Sequence, residues 1–201
     1  MHAVVIREFG DPAVLQPDSF PDPPDKPGWV TVQLKAAALN WHDVLVRQGR
    51  YHSALPHVLG ADGAGVRRDT GEDVVIVPSL CWGERDEAPG PDWEILGDHT
   101  PGTYAELVSV PAECLAAKPA GFSWAQAAAL PLVGLTTYRA LFTRGRLRAG
   151  EAMLVVGAGG GIATMAVQLA SRVGASITVL EREKQALMRN PPGGQGNPPP
   201  H

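Results

Sequence analysis

Cysteine is scarce in this chain, with only Cys81 and Cys114 among 201 residues. Two cysteines so far apart give neither a C-x-x-C zinc pair nor a disulfide framework. A reducing cytoplasm is therefore the simplest compartment to expect. Excess charge of one sign is lacking too. Seventeen Lys and Arg stand against 21 Asp and Glu, for a net charge of −4. No basic tail or arginine stripe offers a footprint for nucleic acid. Long hydrophobic runs are missing as well. The longest, Ala127 to Leu135, contains Pro131 and falls far short of the roughly 20 residues a membrane span needs. The opening segment reaches Arg7 and Glu8 too soon for a signal-peptide core.

What the chain does have is glycine and proline, 23 and 19 residues. That excess favours turn-rich β structure over a helical bundle. Hydrophobic residues make up 44% of the chain, enough for a core. Up to about residue 120 the pattern predicts short strands. Candidates are Val4–Ile6, Trp29–Ala37, Val74–Val77 and Tyr104–Val110, separated by Gly/Pro loops. In the second of these, Val30, Val32 and Leu34 share one face, as strand alternation requires. Such strands suggest a compact, partly open barrel. A short helix is expected at Trp41–Gln48, with Asn40 as N-cap, Asp43 in its first turn and Gly49 as its stop.

Helices then follow. Ser123-Trp124-Ala125-Gln126 has the form of a capping box, and a second helix is expected over Gly134–Phe142. From Glu151 on, the sharpest signal appears. Ala152–Val156 reads as a buried parallel strand. Gly157-Ala158-Gly159-Gly160-Gly161-Ile162-Ala163 forms a glycine turn. A helix follows, with Ile162, Met165, Ala166, Leu169, Ala170 and Val173 on one face, and Ile177–Leu180 is the next strand. This is a βαβ unit. The last dozen residues, Pro/Gly-rich, read as a disordered tail.

A phosphate-binding turn wants small residues for the tight turn, for close approach of backbone to pyrophosphate, and for helix–strand packing. Ala158, Gly160 and Ala163 stand at those places. Amides at the helix start, Gly159 to Ala163, would face the phosphates. Glu181 at the next strand end matches the spacing of a ribose-binding acid, which favours NAD. Arg182 beside it could instead meet the 2′-phosphate of NADP. A glycine turn that only permits close packing is the competing reading, as is a solvated strand-end charge for Glu181. The glycines lack the following Lys-Ser/Thr pair of a P-loop.

Several segments occur together in order: Ala38–Asp43, Arg47–Gly49, Leu59–Gly65, Gly102–Glu106, Gly134–Tyr138 and Gly157–Gln168. In combination they strongly resemble the medium-chain dehydrogenase/reductase superfamily, and within it the zinc-free quinone-oxidoreductase-like branch. The resemblance covers about residues 1 to 189. It implies an α/β chain with a β-rich N-terminal part. Residues 1–120 would form a GroES-like catalytic domain. Residues 121–189 would hold linking helices and the first βαβ of an incomplete Rossmann domain, and 190–201 the tail. Relative to the family the chain reads as C-terminally truncated.

By the same resemblance the cofactor is NADP(H) or NAD(H), the substrate a quinone, enone or small carbonyl compound, and the assembly a homodimer. Positions that carry catalytic zinc in the zinc alcohol dehydrogenases fall at Asn40, Ala61 and near Val133, side chains unsuited to bind it. The structural-zinc lobe retains only Cys81. No metal is therefore expected, and His42, His52 and His57 are expected at the surface or in a cleft. Candidate catalytic residues are Tyr51, as a hydroxyl donor, with Asn40 and Asp43. Cofactor contacts are expected from Asn40, Thr136, Ala158, Gly159, Gly160, Gly161, Ile162, Ala163, Glu181 and Arg182. Asn40 and Asp43 equally suit a capping role, and Thr136 a bond within its helix. The alternative to an oxidoreductase is a non-catalytic interaction module that keeps the GroES-like domain.

Overall fold

The computed structural model describes residues 1–157 and 159–180. Ala158, Glu181, Arg182 and the expected tail lie outside these residues. The chain divides into two compact units, Met1–Leu132 and a second beginning at Val133.

The first unit is built from ten strands among the described residues. They are β1 (His2–Ile6), β2 (Gln16–Ser19), β3 (Trp29–Ala38), β4 (His57–Val58), β5 (Asp62–Arg67), β6 (Asp73–Ile76), β7 (Ser79–Leu80), β8 (Glu94–Ile95), β9 (Leu107–Pro111) and β10 (Leu115–Ala117). The main sheet has the order β10-β6-β5-β3-β9, and a smaller one the order β2-β1-β4. All pairings in these two sheets are antiparallel. A bridge between Ala3 and Ala105 adds to the curled β architecture.

Strand β3 lies between β5 and β9 in the main sheet. Val32 points into a core with Val74, Ile76, Leu80, Leu96, Val108 and Val110. Burying each such side chain contributes roughly 1.5–3 kcal/mol. Strand β5 was hidden by its composition. Its sequence, Asp-Gly-Ala-Gly-Val-Arg, offers little β propensity, yet it lies between β3 and β6. Gly65 explains why. A Cβ there would sit 2.2 Å from the Gln33 carbonyl oxygen, so only glycine permits this strand spacing.

Helix α1 (Trp41–Arg47) follows β3 and ends at the C-cap Gln48, with Gly49 in positive φ beyond it. Helix α2 (Trp124–Ala128) carries the expected capping box. Gln126 N–H donates to Ser123 Oγ at 3.2 Å, and Ser123 N–H to Gln126 Oε1 at 2.9 Å. Its Ala127 and Ala128 pack against Ala64 with Ala36 and Ala38 beside them. Alanine on both sides lets helix and sheet approach closely, so α2 packs within the first unit.

Helix α3 (Pro131–Tyr138) starts three residues before the expected Gly134 and then widens into a π-helical turn over Arg139–Arg144. Proline suits a first helical turn because its missing N–H is unpaired there anyway.

In the second unit, β11 (Ala152–Val156) pairs in parallel with β12 (Ser176–Leu180), and α4 (Gly161–Arg172) crosses between them. The buried stripe of α4 is Ala163, Ala166 and Ala170. Ile162, expected on that face, is exposed, because the small side chains make the closer contact. Val155 is buried, while Leu154, Val156, Val179 and Leu180 are exposed.

Candidate functional site

The turn between β3 and α1 brings polar side chains into the interior of the first unit. Asn40 is extended, with φ −121° and ψ 155°, and its N–H donates to Asp43 Oδ2 at 2.7 Å. Asp43 is only 3% exposed. Its carboxylate also accepts from Tyr104 Oη at 2.9 Å and from Ala61 N–H at 3.2 Å. Burial pushes the Asp43 carboxyl up, and these hydrogen bonds oppose the rise. The Tyr104 phenol is pushed well above its ordinary range by burial and by the facing Asp43.

Asp62, the first residue of β5, is 1% exposed. Its Oδ2 accepts from Asn40 Nδ2 at 2.9 Å and its Oδ1 from Leu132 N–H at 2.8 Å. Burial raises its pKa to about 6, while Asn40 and Leu132 pull the other way. A continuous chain therefore runs from Tyr104 through Asp43, Asn40 and Asp62 to Leu132. Sequence reasoning found Asn40 and Asp43 but missed Asp62 and Tyr104. An acid inside a run of glycine and alanine was the available signal for Asp62.

The predicted donor Tyr51 lies outside this chain. Its ring packs on His42, with centroids 4.6 Å apart and planes tilted by 58°. His42 Nε2 lies 2.5 Å from Asp98 Oδ1. Nothing local in the sequence marked Asp98, which is buried in the loop after β8. His57 corrects the expectation of a surface or cleft histidine. It is buried, with Nε2 at 2.8 Å from the Gly97 carbonyl oxygen, and burial lowers its pKa. Trp41, beside Asn40, is 75% exposed. A cavity of about 270 Å³ elsewhere in this unit is lined by Phe20, Pro21, Trp29, Pro101 and Leu107, and by none of the candidate residues. Among the described residues, no three His, Cys, Asp or Glu side chains gather as a metal-ion site would require.

In the second unit, β11 ends at Gly157, whose φ of +85° makes the turn. Gly159, Gly160, Gly161 and Ile162 are all exposed. A Cβ added at Gly157 or Gly160 would meet nothing within 4 Å. Ala163 is buried, consistent with the packing role of a small third residue. Gly161 is tighter, its added Cβ lying 3.1 Å from Val133 Cγ1. Thr136 is exposed on α3, while the neighbouring Thr137 is buried with an unpartnered Oγ1. Ala158, Glu181 and Arg182, expected as cofactor contacts, lie outside the described residues.

Comparison with known proteins places this geometry. Residues 26–120 match the alcohol dehydrogenase GroES-like domain. The chain is 35% identical to an NAD-dependent alcohol dehydrogenase of Saccharolobus solfataricus, over 93% of this chain and 60% of that protein. A crystal structure of an NAD-dependent alcohol dehydrogenase superposes with a TM-score of 0.87 at 40% identity, over 94% of this chain and 60% of that one. The quinone oxidoreductase of Coxiella burnetii gives 0.75 at 26% identity, over 93% and 58%. The chain thus spans about 60% of the length of the relatives it matches. With the β-rich unit, the βαβ unit and these matches together, the chain belongs to the medium-chain dehydrogenase/reductase superfamily.

Proposed function

We propose that this protein is an NAD(P)H-dependent oxidoreductase that transfers hydride to a quinone, an enone or a small carbonyl compound without zinc. The observation that carries the reading is the open glycine turn. Gly159 to Gly161 are exposed at the start of a helix of 12 residues, and space is free where a side chain at Gly160 would stand. Backbone amides there suit a diphosphate, because the first turn of a helix has unpaired N–H groups and the positive end of its dipole. Gly159, Gly160, Gly161, Ile162 and Ala163 would hold that part of the cofactor, and Thr136, also exposed, is assigned to its nicotinamide half. When bound, the cofactor supplies the hydride.

Tyr51 is assigned as the hydroxyl that donates to the substrate oxygen. It retains 36% exposure, which a donor to a bound small molecule needs. Asn40 and Asp43 are assigned to holding the β3–α1 turn in shape, since both are engaged with interior partners. The zinc-free part of the proposal is supported by donor chemistry. Ala61 has no ligand atom, and the Asn40 amide nitrogen already donates to Asp62. A quinone or enone accepts hydride with little need for a Lewis acid, which suits such a site.

Titration of the full chain with NADPH and with NADH, followed by nicotinamide fluorescence, tests the proposal. Enhanced or blue-shifted emission, and turnover with an enone or quinone, are expected. No change in emission at near-millimolar concentrations of either cofactor overturns it.

A further inference from the structure

His42 occupies the first turn of α1, one residue before the buried Asp43, and it is partnered on two sides. Its Nε2 meets Asp98 Oδ1 at 2.5 Å, with the His42 side chain 15% exposed and that of Asp98 8% exposed. Tyr51 packs its ring against the imidazole. A carboxylate can only accept, so Nε2 carries the hydrogen and Nδ1 is left as the free ring nitrogen. Nδ1 has no partner among the described residues, and it is not among the buried unpartnered atoms. It is therefore open to solvent while its ring is held in plane. That combination of an oriented imidazole, a buried carboxylate behind it and a free second nitrogen is what proton transfer requires.

We infer that Asp98 and His42 form a proton-transfer dyad that serves Tyr51. The inference rests on the oxidoreductase reading for its reaction. The cofactor, when bound, would supply the hydride for the new C–H bond on the substrate, whose C–O π pair would move onto oxygen. That oxygen takes the Tyr51 hydroxyl proton. The phenolate recovers a proton from Nδ1–H of the His42 imidazolium, and solvent returns one to Nδ1. The sum is NAD(P)H plus substrate plus one proton giving NAD(P)⁺ and the reduced product. His42 acts through Tyr51 and is a positioning residue with a proton to give. The charged and titratable groups around the pair are Asp43 on the same helix, Tyr51 beside it, His57, which feels the Asp98 charge, and His99 and Glu94, which act on His57 from the Asp98 loop and β8.

The test has two arms on the full chain. In the first, the ring nitrogens of His42 are observed by ¹⁵N NMR across pH, assigned by their loss in His42→Gln. The neutral ring is expected with its hydrogen on Nε2, with Nδ1 exchanging freely with water, and with that tautomer preference lost in Asp98→Ala, which has no acceptor. A neutral ring protonated on Nδ1, or slow exchange there, overturns the inference. In the second arm, kcat/KM for NADPH-dependent reduction of 2-cyclohexenone is followed against pH. His42→Gln keeps a donor for Asp98 but cannot titrate. It is expected to change the shape of the profile and to lose about 10-fold or more in kcat, with KM and NADPH affinity within about twofold. A profile of unchanged shape overturns the inference and leaves His42 a tie between α1 and the Asp98 loop. Failure of both cofactors to bind overturns the oxidoreductase reading instead, and the NMR arm then decides the dyad by itself.

Discussion

Asn40 and Asp62, 22 residues apart, are joined by a hydrogen bond of 2.9 Å from the amide Nδ2 to the carboxylate Oδ2. The contact ties the β3–α1 turn to the first residue of β5. It leaves Asp62 a buried acid whose pKa stands at about 6, raised from 3.8 by loss of solvent.

That rise has a definite sign in stability. A carboxyl with a raised folded pKa binds more protons in the folded state than in the unfolded one between the two pKa values. Its favourable contribution is complete below the unfolded value and is lost as pH rises through about 6. Relative to Asp62→Asn, the wild type should therefore gain about 1 kcal/mol between pH 7 and pH 5. Urea denaturation of both proteins at the two pH values measures this. An equal pH response would show that Asp62 titrates as if in water.

Tyr104→Phe removes one donor from a carboxylate that is already buried. The expected loss is about 1–3 kcal/mol, the range for leaving a buried polar group short of a partner. The Tyr104 hydroxyl favours the charged form of Asp43, so the loss should be larger at pH 7 than at pH 4. Denaturation at the two pH values checks both the size and the direction.

Two glycines should respond in opposite ways to alanine. Gly65→Ala drives a methyl against the Gln33 backbone and should cost roughly 1–3 kcal/mol. Gly160 has an ordinary φ of −89° and open space beside it. Gly160→Ala should keep the melting temperature and weaken NADPH or NADH binding by about 10-fold, because the added methyl keeps the diphosphate from the backbone. Thermal melts and fluorescence titrations separate the two effects.

Tyr51→Phe removes a hydroxyl without emptying the ring contact with His42. With an enone or ketone substrate, kcat should fall by about 100-fold, within the usual range for a general acid, while cofactor affinity stays within about twofold. Stopped-flow turnover beside a binding titration makes the comparison. Unchanged kcat would remove Tyr51 from the reaction.

Elements with a local cause are legible in the order of residues alone. The alternation through Val32 and Leu34 made β3 legible, because one face of a strand must meet the core. Ser123 and Gln126 set the start of α2 through bonds three residues apart. The order of apolar strand, glycine turn and helix made β11 and α4 legible, because short-range sterics at Gly157 dictate that turn. Tertiary structure alone decided β5, whose glycines and alanines carry meaning only through the backbone lying against them. It also decided the interior of the candidate site. Asp43 meets Tyr104, Asn40 meets Asp62, and His42 meets Asp98 across separations of 61, 22 and 56 residues. A hydrogen bond between residues so distant follows from the packing of whole strands, and exclusion of water at that packed centre gives the Asp62 carboxyl its raised pKa.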